Sequence, residues 1–246
     1  MRRALLGFGI GSYALGLIAM APAALVDAGL QRASDGKVRL AEAQGTLWSG
    51  TGQIEILDAS RKTGIATDIA WHVMPLSILR GQLVCEVDLH AQGRPFPVTI
   101  SFSRIELANA EIKLPVGVLG LGVPQLAPLE LTGDLALHVA SLSLERSRID
   151  GNAMLRWQAA GSRLVTISPL GSYEFQLEGK GSSIEVVLRT LEGPLQLDGA
   201  ATWTTGARPA MSITARVLPQ QREQLAPLLQ LIAVERGDGS FAVQLQ

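Results

Sequence analysis

The chain has 246 residues, room for one large domain or two small ones. Apolar residues make up 47% of it, which excludes wholesale disorder, while charged residues reach only 17% and the net charge is -1. A near-neutral chain has no electrostatic means of binding nucleic acid. A polytopic membrane protein is excluded as well, because only one stretch is long enough to cross a bilayer.

That stretch opens the chain. Ala4 to Val26 contains no Asp, Glu, Lys, Arg or His. As a helix rising about 1.5 Å per residue it would reach roughly 34 Å, enough for a ~30 Å hydrocarbon core. Arg2 and Arg3 precede it and Asp27 follows. The excess of basic residues on the cytoplasmic side then assigns residues 1–3 to the cytoplasm, 4–26 to a transmembrane helix and 27–246 to the far side of the membrane. The alternative is a cleaved signal peptide, for which Ala19-Met20-Ala21 and Ala21-Pro22-Ala23 offer small-x-small cleavage patterns. Both export the body of the protein. Within the span, Gly7, Gly11, Ser12 and Gly16 keep the small-xxx-small spacing of a helix-pairing face.

The body reads as β. Leu83–Leu89, Tyr173–Glu178, Leu195–Asp198 and Met211–Val217 alternate apolar and polar residues, the signature of strands with one buried and one wet face. Gln53–Leu57, Thr67–Val73, Val98–Phe102, Gly133–Leu144, Asn152–Gln158, Ile184–Arg189 and Phe241–Leu245 are further strand candidates, with Gly, Pro, Asn and Asp between most of them. Cys85, the one cysteine, occupies an apolar slot of a strand and has no partner for an intrachain disulfide.

Two segments break the pattern. From Pro219 to Val234, leucines and Ile232 recur at helical spacing, with Pro227 inside as a source of a kink or a later start. Residues 114–129 are apolar but interrupted by Gly and Pro, and read as a connection holding at most one short helical turn. Two lobes meeting there are suggested by a faint symmetry: Trp71 is followed by Pro75-Leu76 and a strand, and Trp157 by Pro169-Leu170 and a strand. The expected architecture is mainly β: an N-terminal transmembrane helix, a long curved antiparallel sheet of about ten strands with two similar halves as one arrangement, and one C-terminal helix.

Enzyme chemistry finds little support. His72, His90 and His138 lack ligand spacing, and Glu178-Gly179-Lys180-Gly181-Ser182 fails the phosphate-loop pattern because Glu174 stands where its first glycine belongs. The glycines of Gly7–Gly11 are followed by Ser12 where a dinucleotide fingerprint needs its last glycine, and there is no GxSxG. No catalytic residue, cofactor or metal is expected.

The segment after the span is more telling: Gly45-Thr46-Leu47-Trp48-Ser49-Gly50 opens the first strands. With Trp71, Pro75 and Leu79-x-Gly81, then Gly151 through Trp157, Pro169-Leu170-Gly171-x-Tyr173 and Gly193-Pro194-Leu195-x-Leu197-x-Gly199, it resembles the type II secretion system protein N family from Arg2 to the Asp238-Gly239 turn. The matching positions Gly45, Leu47, Trp48, Gly50, Trp71, Pro75, Gly81, Trp157, Pro169 and Gly171 read as turn-forming or core residues. The resemblance implies a non-enzymatic part of the inner-membrane platform of the secretion machine. Such a protein crosses the membrane once, carries its body in the periplasm and binds other platform components. The alternative is a periplasmic lipid-handling β-groove, AsmA-like or lipopolysaccharide-transport-like, with an acyl chain on an aliphatic concave face. Contiguity separates the two: a groove needs one unbroken apolar channel, whereas a scaffold closes its apolar residues into a dry core.

Overall fold

The computed structural model describes residues 13, 16–57, 64–89, 94–122, 124–205, 207, 210–217, 219–235 and 241–243. The protein is mainly β, with all named strand pairs antiparallel, and divides into two compact units, 1–91 and 92–246. The 114–129 stretch therefore lies inside the second unit.

In the first unit, helix α1 (Ala24–Ala33) is followed by β1 (Val38–Gly45), β2 (Ser49–Leu57), β3 (Gly64–Met74), a 3-10 turn (Pro75–Arg80) and β4 (Gln82–Asp88). The strands pair in chain order, with Leu40 opposite Ile54, Gly50 opposite Trp71, and Trp71 opposite Val87. Helix α1 lays Val26 and Leu30, four residues apart and so on one face, against a core of Ala23, Leu40, Trp71 and Val73. The helix also serves the outer edge of β1. The Asp27 carboxylate accepts from Leu40 N at 2.8 Å and from the Gln31 amide at 2.7 Å, and Ser34 Oγ accepts from Val38 N at 2.9 Å. An edge whose amides are already taken offers a poor template to another strand.

In the second unit, β5 (Phe96–Ser101) and β6 (Arg104–Pro115) lead into helix α2 (Gly117–Gly122) and a 3-10 turn (Pro124–Leu129). Then come β7 (Leu131–Glu145), β8 (Arg148–Ser162), β9 (Gly171–Gly181), β10 (Ser183–Glu192), β11 (Leu195–Thr204) and β12 (Ala210–Val217), each paired with the next. Helix α3 (Arg222–Ile232) follows, then β13 (Ala233–Glu235) and β14 (Phe241–Val243), and it is β14 that pairs with β12. Register puts Leu137, Leu155, Phe175, Leu188, Gly199 and Ile213 in one cross-strand row, so one face is apolar across six strands. On the other face Arg156, Glu174 and Arg189 stand side by side. Leu225, Leu228 and Leu229 of α3 close one end of the apolar face over Leu129, Leu170, Leu195, Ala215 and Phe241.

Several expectations need correction. No described helix is long and apolar enough to cross a membrane, and part of the expected span over 4–26 lies outside the described residues. Residues 1–12, 14 and 15 lie outside the described residues, and Gly7, Gly11 and Ser12 with them; Gly16 has open space around its α-carbon. The expected span ends too late: Ala21 and Ala23 are buried in the first unit, and Val26 is on α1. The C-terminal helix is not the sole one, and it is shorter than expected, ending at Ile232 where Ala233 turns extended to pair with β14. The 114–129 connection carries a strand end, a helix and a 3-10 turn rather than one turn at most. Strands β1, β6 and β13 go beyond the expected set.

Two consequences can be measured. Leu225 is fully buried, so Leu225→Ala leaves a cavity under α3 and lowers unfolding stability by about 3 kcal/mol in a denaturant titration. The Leu40 amide first, and Gln31 second, hold the Asp27 carboxyl below the usual carboxylate range. A depressed folded pKa adds stability that is complete above the unfolded value, about 4, and fades as pH falls below it. Asp27→Asn is therefore expected to be less stable by about 1 kcal/mol at neutral pH, with the two proteins converging in acid.

Candidate functional site

The residues singled out in sequence assemble into two nodes, one in each unit, built on the same device. In the first, the Thr46 to Ser49 turn is closed by Thr46 N donating to Ser49 O at 2.8 Å, while Thr46 Oγ accepts from the amides of Trp48 and Ser49. Gly45 enters this turn and Gly50 leaves it. Trp71 crosses over Gly50 so closely that a Cβ there would lie 2.5 Å from the indole Cζ2, and its Nε1 donates to Leu47 O at 3.2 Å. Trp48 sends its own Nε1 to Ile18 O at 2.8 Å, and Leu47 N donates to Ala21 O at 2.7 Å. Pro75 starts the 3-10 turn beyond Trp71 and Gly81 ends it in the left-handed region, φ 71°.

In the second node, Trp157 on β8 lies over Gly133 of β7, where a Cβ would be 2.8 Å from the indole nitrogen, and Nε1 donates to Thr132 O at 3.0 Å. Its ring meets Tyr173 with centroids 5.8 Å apart and planes tilted by 53°. Tyr173 is fully buried, which pushes its phenol well above the ordinary range, and it donates to Leu195 O at 2.9 Å. Gly171 lies under the same phenol, and the Ser168–Pro169 bond is cis. The ten motif positions thus fall at these two nodes. Sequence reasoning took Gly133 only as the start of a strand, and Ala21 and Ala23 only as members of cleavage patterns. No common spacing marks Gly133, because the glycine beneath each indole lies at a different sequence distance from it in the two nodes.

Outside the nodes, a shallow hollow of about 300 Å³ lies on the polar face of the second unit, lined by His138, Asn152, Met154, Gln176, Glu178 and Glu185 among others. His138 Nδ1 stands 3.7 Å from a Glu111 carboxylate oxygen, and Lys180 is held by Glu185 at 2.7 Å and Glu178 at 3.0 Å. Among the described residues, no group of three or more His, Cys, Asp or Glu side chains is placed to hold a metal ion. Burial raises the Cys85 thiol above its ordinary range, away from the thiolate that a nucleophile needs. The arrangement presents donors and acceptors over broad sheet faces.

The nodes predict an order of mutational damage. Gly50→Ala forces its methyl against the Gln44 carbonyl and into the Trp71 ring and costs about 2 kcal/mol. Gly81→Ala, with nothing within 4 Å, meets only the left-handed penalty of about 1 kcal/mol. Thermal melts of the two variants, read by tryptophan fluorescence, check the ranking.

No curated protein and no solved structure matches the chain significantly. The family model of type II secretion system protein N matches residues 36–244, from just before β1 through β14, and so covers both nodes. The chain belongs to the type II secretion system protein N family.

Proposed function

We propose that this protein is a non-enzymatic component of the inner-membrane platform of a type II secretion system, supporting export of folded periplasmic proteins across the outer membrane. The family match over 36–244 carries this reading. A single N-terminal span, with the N-terminus in the cytoplasm, leaves the body in the periplasm and its sheet faces available to other platform proteins. Retention of the N-terminal segment is supported by its engagement: cutting after Ala21 or Ala23 would sever residues that the first unit buries and hydrogen-bonds.

One observation favours a lipid-handling groove as second choice. The apolar face of the second unit continues past the part that α3 closes. Val139, Ala153, Leu177, Val186, Ala201 and Met211 form one row, Ile105, Leu144 and Ile149 another, and Ile105, Met211 and Trp203 keep 40%, 37% and 52% exposure. An unbroken aliphatic strip of this kind suits an acyl chain.

Crosslinking in bacterial inner membrane, followed by mass spectrometry of co-purifying proteins and lipids, separates the two. Platform proteins of the secretion system, with lipid at bulk composition, are expected. A stoichiometric lipid without those partners would replace the platform role by the groove. The N-terminal peptide in the same spectra is expected to begin at Met1–Arg3; a start at Pro22 or Ala24 removes the anchor.

A further inference from the structure

The 3-10 turn between β3 and β4 is tied by hydrogen bonds to its own backbone and to β4. Ser77 Oγ donates to Met74 O at 2.6 Å and accepts from Val84 N at 3.0 Å, while Gly81 N donates to Ile78 O at 2.9 Å. Yet its side chains point out: Leu76 is 77% exposed and Leu79 85%. Residues i and i+3 of a 3-10 turn eclipse, so these two leucines share one face, with Arg80 next in the chain. Surface connections are ordinarily polar, and a turn locked by its own hydrogen bonds cannot fold its leucines back against the sheet.

A second apolar segment emerges at the same end of the first unit. Val73 N donates to Trp48 O at 2.6 Å, so the exit of β3 lies beside the Thr46 to Ser49 turn, and that turn holds Ile18 through the Trp48 indole. Leu17, Ile18 and Met20 are 58%, 55% and 80% exposed. They belong to the uncharged run from Ala4 to Val26.

We infer that this end of the first unit rests on the lipid bilayer, with Leu76 and Leu79 inserted in the interfacial layer and Arg80 among anionic headgroups. The inference rests on the anchored reading proposed above and adds a second membrane contact to it. The bilayer is the occupant because the run from Ala4 delivers the chain to this end, which puts the hydrocarbon boundary where the turn already is. Interfacial contacts reach roughly 5–10 Å into the headgroup and acyl boundary, within the reach of a leucine pair. A basic residue adds attraction to anionic lipid, and tryptophan favours this depth, where Trp48 lies between the two segments.

The test uses the full chain with Cys85→Ala, reconstituted into vesicles of phosphatidylethanolamine and phosphatidylglycerol. It carries a single environment-sensitive label at Leu79→Cys, Tyr13→Cys or Ala66→Cys. A blue shift of the Leu79 label, with quenching by shallow doxyl lipids as for Tyr13 and none at Ala66, is the expected result. Quenching at Tyr13 with an unshifted, unquenched Leu79 label overturns the second contact and leaves the anchor standing. Absence of quenching at both overturns the anchor and the contact together. Far-UV circular dichroism of each labelled protein confirms that its sheet is intact.

Discussion

A buried indole brings one N–H that water can no longer serve, and leaving it unpaired costs about 1–3 kcal/mol. Trp71 and Trp157 meet this demand in a similar way, Trp71 donating to a turn carbonyl and Trp157 to one on the neighbouring strand, each packed over a glycine. The ring takes the space a Cβ would need, so residue type beneath it is no longer free. It also pins the strand, since a slip by one residue would turn the indole to the opposite face. In the first unit the turn from Thr46, the burial of Ala23 and the hold on Ile18 all lie around this one contact.

Much of the sheet was legible because burial on one face imposes a period of two, and the strands that carry it cleanly were read from it. The strands that were missed share a physical cause. In β6 the apolar positions run Ile105 and Leu107, then shift phase to Ala110, Ile112 and Leu114, and the shift falls at Asn109 with φ 51°. In β1 the same happens around Glu42, also at φ 51°, where the register with β2 slips between Ala41 and Gln44. A bulge re-aims the chain and breaks the alternation that announces a strand. Strand β13 escaped for another reason: Ala233 and Val234 continue the apolar composition of α3, and only the distant pairing with β14 draws them extended. The tryptophans were visible as landmarks, whereas Gly133 was not, because what makes it obligatory is a neighbour brought by register from another strand.

The polar face of the second unit carries paired charges. Charges on the polar face neutralise one another locally: Arg156 meets Glu174 at 3.0 Å, and Arg104 meets Glu145 at 2.6 Å. The Glu174 carboxyl, bonded by the Gln176 amide and by Arg156, sits below the usual carboxylate range and stays ionised as a fixed partner. Paired charges of this kind set orientation and exclude wrong partners more than they add affinity. That suits the platform role proposed above.

The segment from Ile18 to Ala23 also decides how force enters the molecule. It does not leave the first unit as a loose tail: Leu47 N reaches Ala21 O, Ala23 N reaches Gly45 O, and the Trp48 indole reaches Ile18 O. A pull along the N-terminal segment therefore loads these bonds side by side before it can peel α1 from the sheet. The connection behaves as a stiff bracket rather than a string, and tension on the N-terminus is delivered to the turn beneath Trp71, which Leu47, Trp48 and Gly45 tie to the segment.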